Sequence, residues 1–297
     1  MKNLMCVILC SLLQVCSLSQ KAPGTKYKPI VLDRSYEHTK WGISPSDLIY
    51  EFAAYTTSFD SDDEGVLWGV PEWVAYEIKK KDKRVEKYSR PKWMTDDKLN
   101  AKDKAPNDAT YAVSGTKRIK EVSGSYRYVR GHMCPKSAAD RISSAAGYNT
   151  HTILNAVPQL QWQNNGIWKS LESRVLELAD QYNRVWVICG PVFFGRNPAV
   201  WLGQKGEVKA AVADAFYKIV IRESVGSAGV ETLSFVIPNV IPKTKRDFSE
   251  YLTSIGRIEG LTGLTFLAEL NTTDQNKVKL KHLGLSLSDK KSAVNRW

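Results

Sequence analysis

The sequence runs to 297 residues with 42 Lys and Arg against 31 Asp and Glu, a formal charge of +11. A composition 43% hydrophobic, 25% charged and 10% aromatic excludes a disordered or fibrous chain. A chain of this length buries about three quarters of its surface, so it needs no disulfide or metal to hold a core, and the excess positive charge points to an anionic partner: nucleic acid, an acidic polymer or a membrane surface.

The first residues read as an export leader. Lys2 supplies a positive start, Leu4 to Leu18 carries no charge, and Ser17-Leu18-Ser19 offers small residues for cleavage before Gln20. The apolar run is shorter than the roughly 20 residues of a spanning helix. Cys16 is a poor lipoprotein site because bulky Val15 precedes it. The expected protein is therefore exported, periplasmic or secreted, with the leader over 1–19. Three of the five cysteines (Cys6, Cys10, Cys16) fall in it. Cys134 and Cys189 remain, compatible with a disulfide or with two buried thiols, and no zinc spacing is present.

Residues 20–65 are polar, close on the acidic cluster Asp60, Asp62, Asp63, Glu64, and read as an extension wrapping the core. Within them Ser44-Pro45 is a plausible helix start leading through Leu48, Ile49 and Tyr50. Trp73 to Ile78 reads as a strand. The basic run Lys79, Lys80, Lys81, Lys83, Arg84, Lys87 follows, then a long loop over 89–125. Further strands are expected at 152–154, 185–188, 216–221 and 233–237. Trp168, Leu171, Val175 and Leu178 give helical spacing over 166–181, and a second helix is expected at 245–254. The tail 271–297 is polar and basic, with Lys277, Lys279 and Lys281. Strands and helices mix without a regular βαβ period, which predicts an α+β fold with a largely antiparallel sheet flanked by helices.

Two segments carry chemistry. The first is Tyr128-Val129-Arg130-Gly131-His132-Met133-Cys134-Pro135. On an extended strand Arg130 and His132 face one side. They set a fixed positive charge beside a group that takes a proton near neutral pH, which suits phosphate chemistry. The same pair also reads as a hydrogen-bonded structural pair. The second runs from Asn155-Ala156-Val157-Pro158-Gln159 to Asn164-Asn165-Gly166-Ile167-Trp168 and Leu171-Glu172. Asn164 and Glu172 offer oxygen ligands suited to Mg²⁺. Eight residues on one helix span about 12 Å. Asn164 near the helix start is then the direct ligand, with Glu172 acting through bound water. Read alone, they are equally a helix cap and a solvent-facing acid.

Together these segments resemble the DNA/RNA non-specific endonuclease family, nucleases with a ββα-metal (His-Me finger) site. The matching residues are Arg130-Gly131-His132, Asn155 with Pro158-Gln159, and Asn164 with Gly166, Trp168, Leu171 and Glu172. The resemblance covers roughly 66–270, taken as the endonuclease domain between the 20–65 extension and the tail. It implies that His132 is the general base, Asn164 the single direct protein ligand of Mg²⁺ (Mn²⁺ substituting), and Glu172 the acid orienting the metal's waters. Arg130 and Arg90, the latter before Trp93-Met94-Thr95-Asp96, would stabilise the phosphate. Asn155 and Gln159 would support the site from behind. The family usually has Asp where this chain has Val129.

The implied function is an exported nuclease hydrolysing phosphodiester bonds of DNA and RNA to 5′-phosphate products. Sequence-blind phosphate contacts are assigned to the basic run Lys79, Lys80, Lys81, Lys83 and Arg84, with a share for Lys277–Lys281. The competing class is a basic exported nucleic-acid-binding protein on a nuclease fold without catalysis.

Overall fold

A computed structural model describes residues 32–46, 48–59, 68–81, 90–93, 119–121, 124–126, 128–195, 198–203, 209–224 and 229–297. Its strands are β1 (Ile43–Ser44), β2 (Leu48–Glu51), β3 (Thr56–Phe59), β4 (Pro71–Lys79), β5 (Ile119–Glu121), β6 (Gly124–Tyr126), β7 (Tyr128–His132), β8 (Ala156–Leu160), β9 (Arg184–Val192), β10 (Trp201–Leu202), β11 (Ala210–Ala211), β12 (Ala215–Glu223), β13 (Val230–Pro238), β14 (Leu252–Thr253) and β15 (Thr265–Phe266). The helices are α1 (Lys136–Ala139), α2 (Ser144–Asn149), α3 (the continuous segments Gln161–Gln163, Asn164–Trp168 and Lys169–Tyr182), α4 (Ile255–Thr262), α5 (Thr272–Lys279) and α6 (Leu287–Asn295). Among the described residues no helix is long and apolar enough to cross a membrane.

Seven strands form one antiparallel sheet in the order β14-β13-β12-β9-β4-β3-β2. Successive strand residues face opposite sides, and β9 shows the consequence. Val187 and Cys189 join one core with Ile167, Trp168, Leu171, Val175 and Leu178 of α3. Trp186 and Ile188 join a second core with Ile255, Ile258 and Phe266. Covering both faces requires apolar residues at almost every position, which is why the central strands read as continuous hydrophobic runs. The separate β7–β8 ladder lies on the α3 side, where Tyr128, Met133, Cys134, Val157 and Leu160 enter the first core.

The expected α+β architecture and the strands at 73–78, 185–188, 216–221 and 233–237 are present. Three local expectations are corrected. Leu48 to Tyr50 is strand β2, because it pairs with Thr57–Phe59 and so satisfies its backbone in a ladder. Thr152 to Leu154 is not a strand: the Thr152 hydroxyl accepts from Leu154 N and caps a 3₁₀ turn, Ile153–Asn155, with the strand starting at Ala156. The helix expected at 245–254 is a 3₁₀ turn, Phe248–Tyr251, followed by β14, since Leu252 pairs with Phe235 and is buried. The true helix α4 begins one residue after Ser254, whose hydroxyl caps it.

The leader with Cys16, the acidic cluster 60–64, and Lys83, Arg84 and Lys87 lie outside the described residues. The loop 89–125 is described only at 90–93 and at the β5–β6 hairpin. Cys134 and Cys189 are free, buried thiols. Burial pushes the Cys189 thiol up to about 12 and that of Cys134 well above its ordinary value, so neither is poised as a nucleophile.

Asn239 joins the sheet to the β7–β8 ladder. Its Oδ1 accepts from Leu160 N at 2.8 Å, and its Nδ2 donates to Pro158 O at 3.2 Å and Ala213 O at 2.9 Å. All three backbone groups lose a buried partner in Asn239→Ala, which should cost about 2–4 kcal/mol. Urea unfolding would register this as a lower midpoint with an unchanged slope.

Candidate active site

His132 ends β7, opposite Ala156 of β8. Gly131 is required just before it: a Cβ there would fall 1.8 Å from Gln159 Oε1. Gln159 also donates to Gln163 Oε1, so this buried glutamine ties β8 to the first turn of α3. The chain after His132 is held by Asn155. Its backbone carbonyl accepts from Met133 N at 3.0 Å and its Oδ1 from Cys134 N at 2.7 Å. Its Nδ2 donates to Cys134 O at 2.9 Å and Thr150 O at 3.0 Å. Asn155 and Gln159 thus brace the backbone on either side of His132.

The His132 ring sits in an aromatic setting. Trp93 lies 4.6 Å away by ring centroids, and His151 lies edge-on at 4.6 Å. Trp93 also meets His151 at 5.2 Å, and the Arg130 guanidinium lies 5.4 Å from the Trp93 ring. Arg130 and His132 therefore do share one side of β7. Nε2 of His132 is buried and makes no hydrogen bond among the described residues. Burial, then the neighbouring His151, Arg90 and Lys136, hold the His132 pKa well below the ordinary imidazole value. Burial likewise takes His151 down to about 4, with Arg90 and Lys136 acting the same way. Both rings are neutral at pH 7, the state a base requires.

Asn164 and Glu172 lie on α3, but the helix begins at Gln161, earlier than expected, so Asn164 is inside it. Asn164–Trp168 forms a π-bulge in which Gly166 departs from helical geometry (φ −104°, ψ −105°). The bulge changes the geometry of the pair. At about 100° per residue, eight residues on a straight helix leave two side chains about 80° apart. The non-helical backbone at Gly166 lies between the two, so that straight-helix angle does not carry over from Asn164 to Glu172. Burial raises the Glu172 carboxyl to about 7, against the opposing pull of Lys218, the Trp168 indole, Lys169 and Arg90.

Lys218 is a residue that motif reading passed over. It is fully buried in β12, its Nζ 4.2 Å from the Trp168 ring centroid and 3.4 Å from the Tyr76 hydroxyl. A lone lysine in an otherwise apolar run was the available signal. His151 was also passed over, and nothing in its spacing marks it. Arg90 is exposed, yet its charge reaches His132, His151 and Glu172.

A hard cation fits this donor set. Asn164 Nδ2 reaches Asn165 Oδ1 at 3.5 Å, while Asn164 Oδ1 makes no hydrogen bond among the described residues. Among those residues no group of three or more His, Cys, Asp and Glu stands together. One amide oxygen and one carboxylate suit an ion that keeps most of its waters.

The basic run is placed elsewhere. Lys79 Nζ donates to Ser35 O at 2.7 Å and lies 4.1 Å from the Tyr36 ring centroid. Val74, in the same strand, pairs with Cys189, whose Sγ meets Met133 O at 3.4 Å. Lys79 is five residues further on, about 17 Å along an extended strand. The Lys80 and Lys81 backbone amides bond Asn183 O and Asp180 Oδ1.

The sequence matches the profile of the DNA/RNA non-specific endonucleases over residues 42–273. The chain belongs to this family. Among its relatives are human mitochondrial nuclease EXOG, 29% identical over 214 residues, and bovine mitochondrial endonuclease G, 28% identical over 239 residues. The matched regions cover 69% and 79% of this chain and 54% and 74% of those proteins, so the chain spans about half the length of the first. A nuclease of a Nostoc species is 25% identical over 277 residues, covering 89% of this chain and 90% of that one. The crystal structure of an EndoG/EndoGI complex shares the fold, with a TM-score of 0.64 at 23% identity over 80% of this chain and 92% of that chain.

The raised Glu172 pKa has a stability consequence. A carboxyl whose folded pKa of about 7 exceeds its ordinary 4.5 binds its proton more tightly in the folded state. Its stabilising contribution is therefore present below pH 4.5 and lost as pH rises towards 7. Without metal, Glu172→Gln should stabilise the protein at pH 8 by about 1–3 kcal/mol and hardly at all at pH 4.5. Urea unfolding at the two pH values checks both.

Proposed function

We propose that this chain is an exported, Mg²⁺-dependent endonuclease that hydrolyses phosphodiester bonds in both DNA and RNA. The observation that carries the reading is a neutral His132 packed with Trp93, His151 and Arg130, with the Arg90 charge acting on both His132 and Glu172.

His132 takes a proton from the water that attacks phosphorus while the P–O bond to the leaving sugar oxygen breaks and that oxygen gains a proton from solvent; the lowered pKa keeps the ring neutral throughout the neutral range. Arg130 and Arg90 hold the phosphate oxygens by charge-assisted hydrogen bonds. Asn164 would hold Mg²⁺ directly, and Glu172, as carboxylate, would accept hydrogen bonds from waters around it. Bound there, the ion supplies Lewis-acid stabilisation of developing charge. Trp93 and His151 fix the plane of the base, which matters because small errors in reacting geometry cost large factors in rate. None of these groups reads a base edge, which supports acceptance of both nucleic acids. Export rests on the leader pattern of residues 1–19.

Purified protein with plasmid and Mg²⁺ should degrade it, and EDTA should stop the reaction. His132→Ala should lower kcat at least about 100-fold with DNA retention in EDTA little changed. Absence of metal-dependent cleavage by the wild type would favour the binding-protein reading instead. RNA run in parallel decides the breadth of substrate.

His151 supplies a second test. His151→Ala should reduce kcat about 10- to 100-fold with KM little affected, by loosening the His132 ring. His151→Phe, which restores an aromatic edge, should recover most of the rate. Equal loss in both variants would mean that the imidazole itself, not its packing, is needed.

A further inference from the structure

The loop after β13 is fastened at its start to the elements that carry the site and at its end to α6. At its start Asn239 is bonded to β8, and Trp162 Nε1 of α3 donates to Ile241 O at 2.7 Å. At its end Asp247 accepts from Ser249 N at 3.0 Å and pairs with Lys291 at 3.0 Å. Between these anchors Pro242-Lys243-Thr244-Lys245-Arg246 is wholly exposed.

Lys245 is neutralised by Glu250 at 2.7 Å. Lys243 and Arg246 have no acidic partner among the described residues. Lys243 Nζ lies 5.1 Å from the Trp162 ring centroid, two residues before Asn164. Arg246 Nη1 lies 3.8 Å from where a Gly166 Cβ would stand, two residues after Asn164. Both cations thus lie alongside the stretch of α3 that also carries Asn164, on a loop whose course is pinned. Lys79, by contrast, spends its ammonium on Ser35 and Tyr36.

We infer that Lys243 and Arg246 grip the backbone phosphates flanking the scissile phosphodiester of a nucleic-acid strand, making the 242–247 loop the substrate-holding arm of the site. This rests on the nuclease reading. Phosphate grips position a strand without reading its sequence, and each one releases condensed counterions when it forms.

The test is binding of the full-length protein in EDTA to a fluorescein-labelled DNA duplex, by anisotropy from about 50 to about 200 mM KCl. The wild type is compared with Lys243→Gln/Arg246→Gln. Two lost phosphate contacts should lower the slope of log K against log salt by about 1.8 in magnitude, at about 0.9 per contact. In Mg²⁺ the same variant should lose activity mainly through KM, by about tenfold or more at about 150 mM salt, because a grip on flanking phosphates serves ground and transition states alike. An unchanged slope in a wild type that binds and cleaves overturns this inference and leaves the nuclease reading standing. So does a loss confined to kcat. A wild type that neither binds nor cleaves nucleic acid overturns both.

Discussion

The Asn155 side chain closes the turn that presents the base. It bonds both the N–H and the C=O of Cys134, and from the same amide reaches back to Thr150. Every one of these bonds is buried, so each is strong and each would be costly to leave unmade. The consequence spreads outwards. With Cys134 fixed, Met133 points into the core and His132 is left at the exit of β7. With Thr150 fixed, His151 stands edge-on to the His132 ring. A single buried amide thereby sets the direction of two histidines on different segments.

A second constraint is the placement of charge in poor solvent. Lys218 and Glu172 face the region between α3 and β12, where water is scarce and each charge matters to the other. The carboxyl is raised by burial, and Lys218 is the largest influence that opposes the rise. An ammonium packed on the Trp168 ring thus helps keep an acid usable as a carboxylate near neutrality. A stability optimum would replace such groups with apolar ones. A carboxyl and an ammonium held in this way, with the acid shifted by burial and a specific partner, fit a site whose pKa values are set for chemistry.

Much of this was legible beforehand, for identifiable reasons. Strands β4, β9, β12 and β13 are buried on both faces, so their composition announces them. His132, Asn164 and Glu172 could be named because the motif keeps their order and spacing. What stayed hidden depends on contacts distant in sequence. Leu252 is a strand residue because Phe235 lies beside it, and Leu48 because Phe59 does. Local periodicity contains neither partner. The non-helical Gly166 lies between Asn164 and Glu172, so the straight-helix spacing read from sequence does not describe that stretch. His151 is an ordinary buried residue until β7 and the turn at Ile153–Asn155 bring it against His132.

The positive charge of the chain is also sharpened by the fold. Counting lysines along the sequence favours the densest run, Lys79–Lys87, but a charge useful for holding a polyanion must be both uncommitted and near the chemistry. Lys79 fails on both counts. The sparser cations at Lys243 and Arg246 meet both, because β13 delivers their loop to the flank of α3. Field strength at a site depends on where low-dielectric walls and unpaired charges coincide, so two well-placed cations outweigh Lys79, whose ammonium is already bonded. Division of labour follows from that geometry: exposed cations on a pinned loop suit capture that weakens with salt, while the half-buried His132 and Glu172, better shielded from that salt, suit the proton transfer and metal work that capture serves.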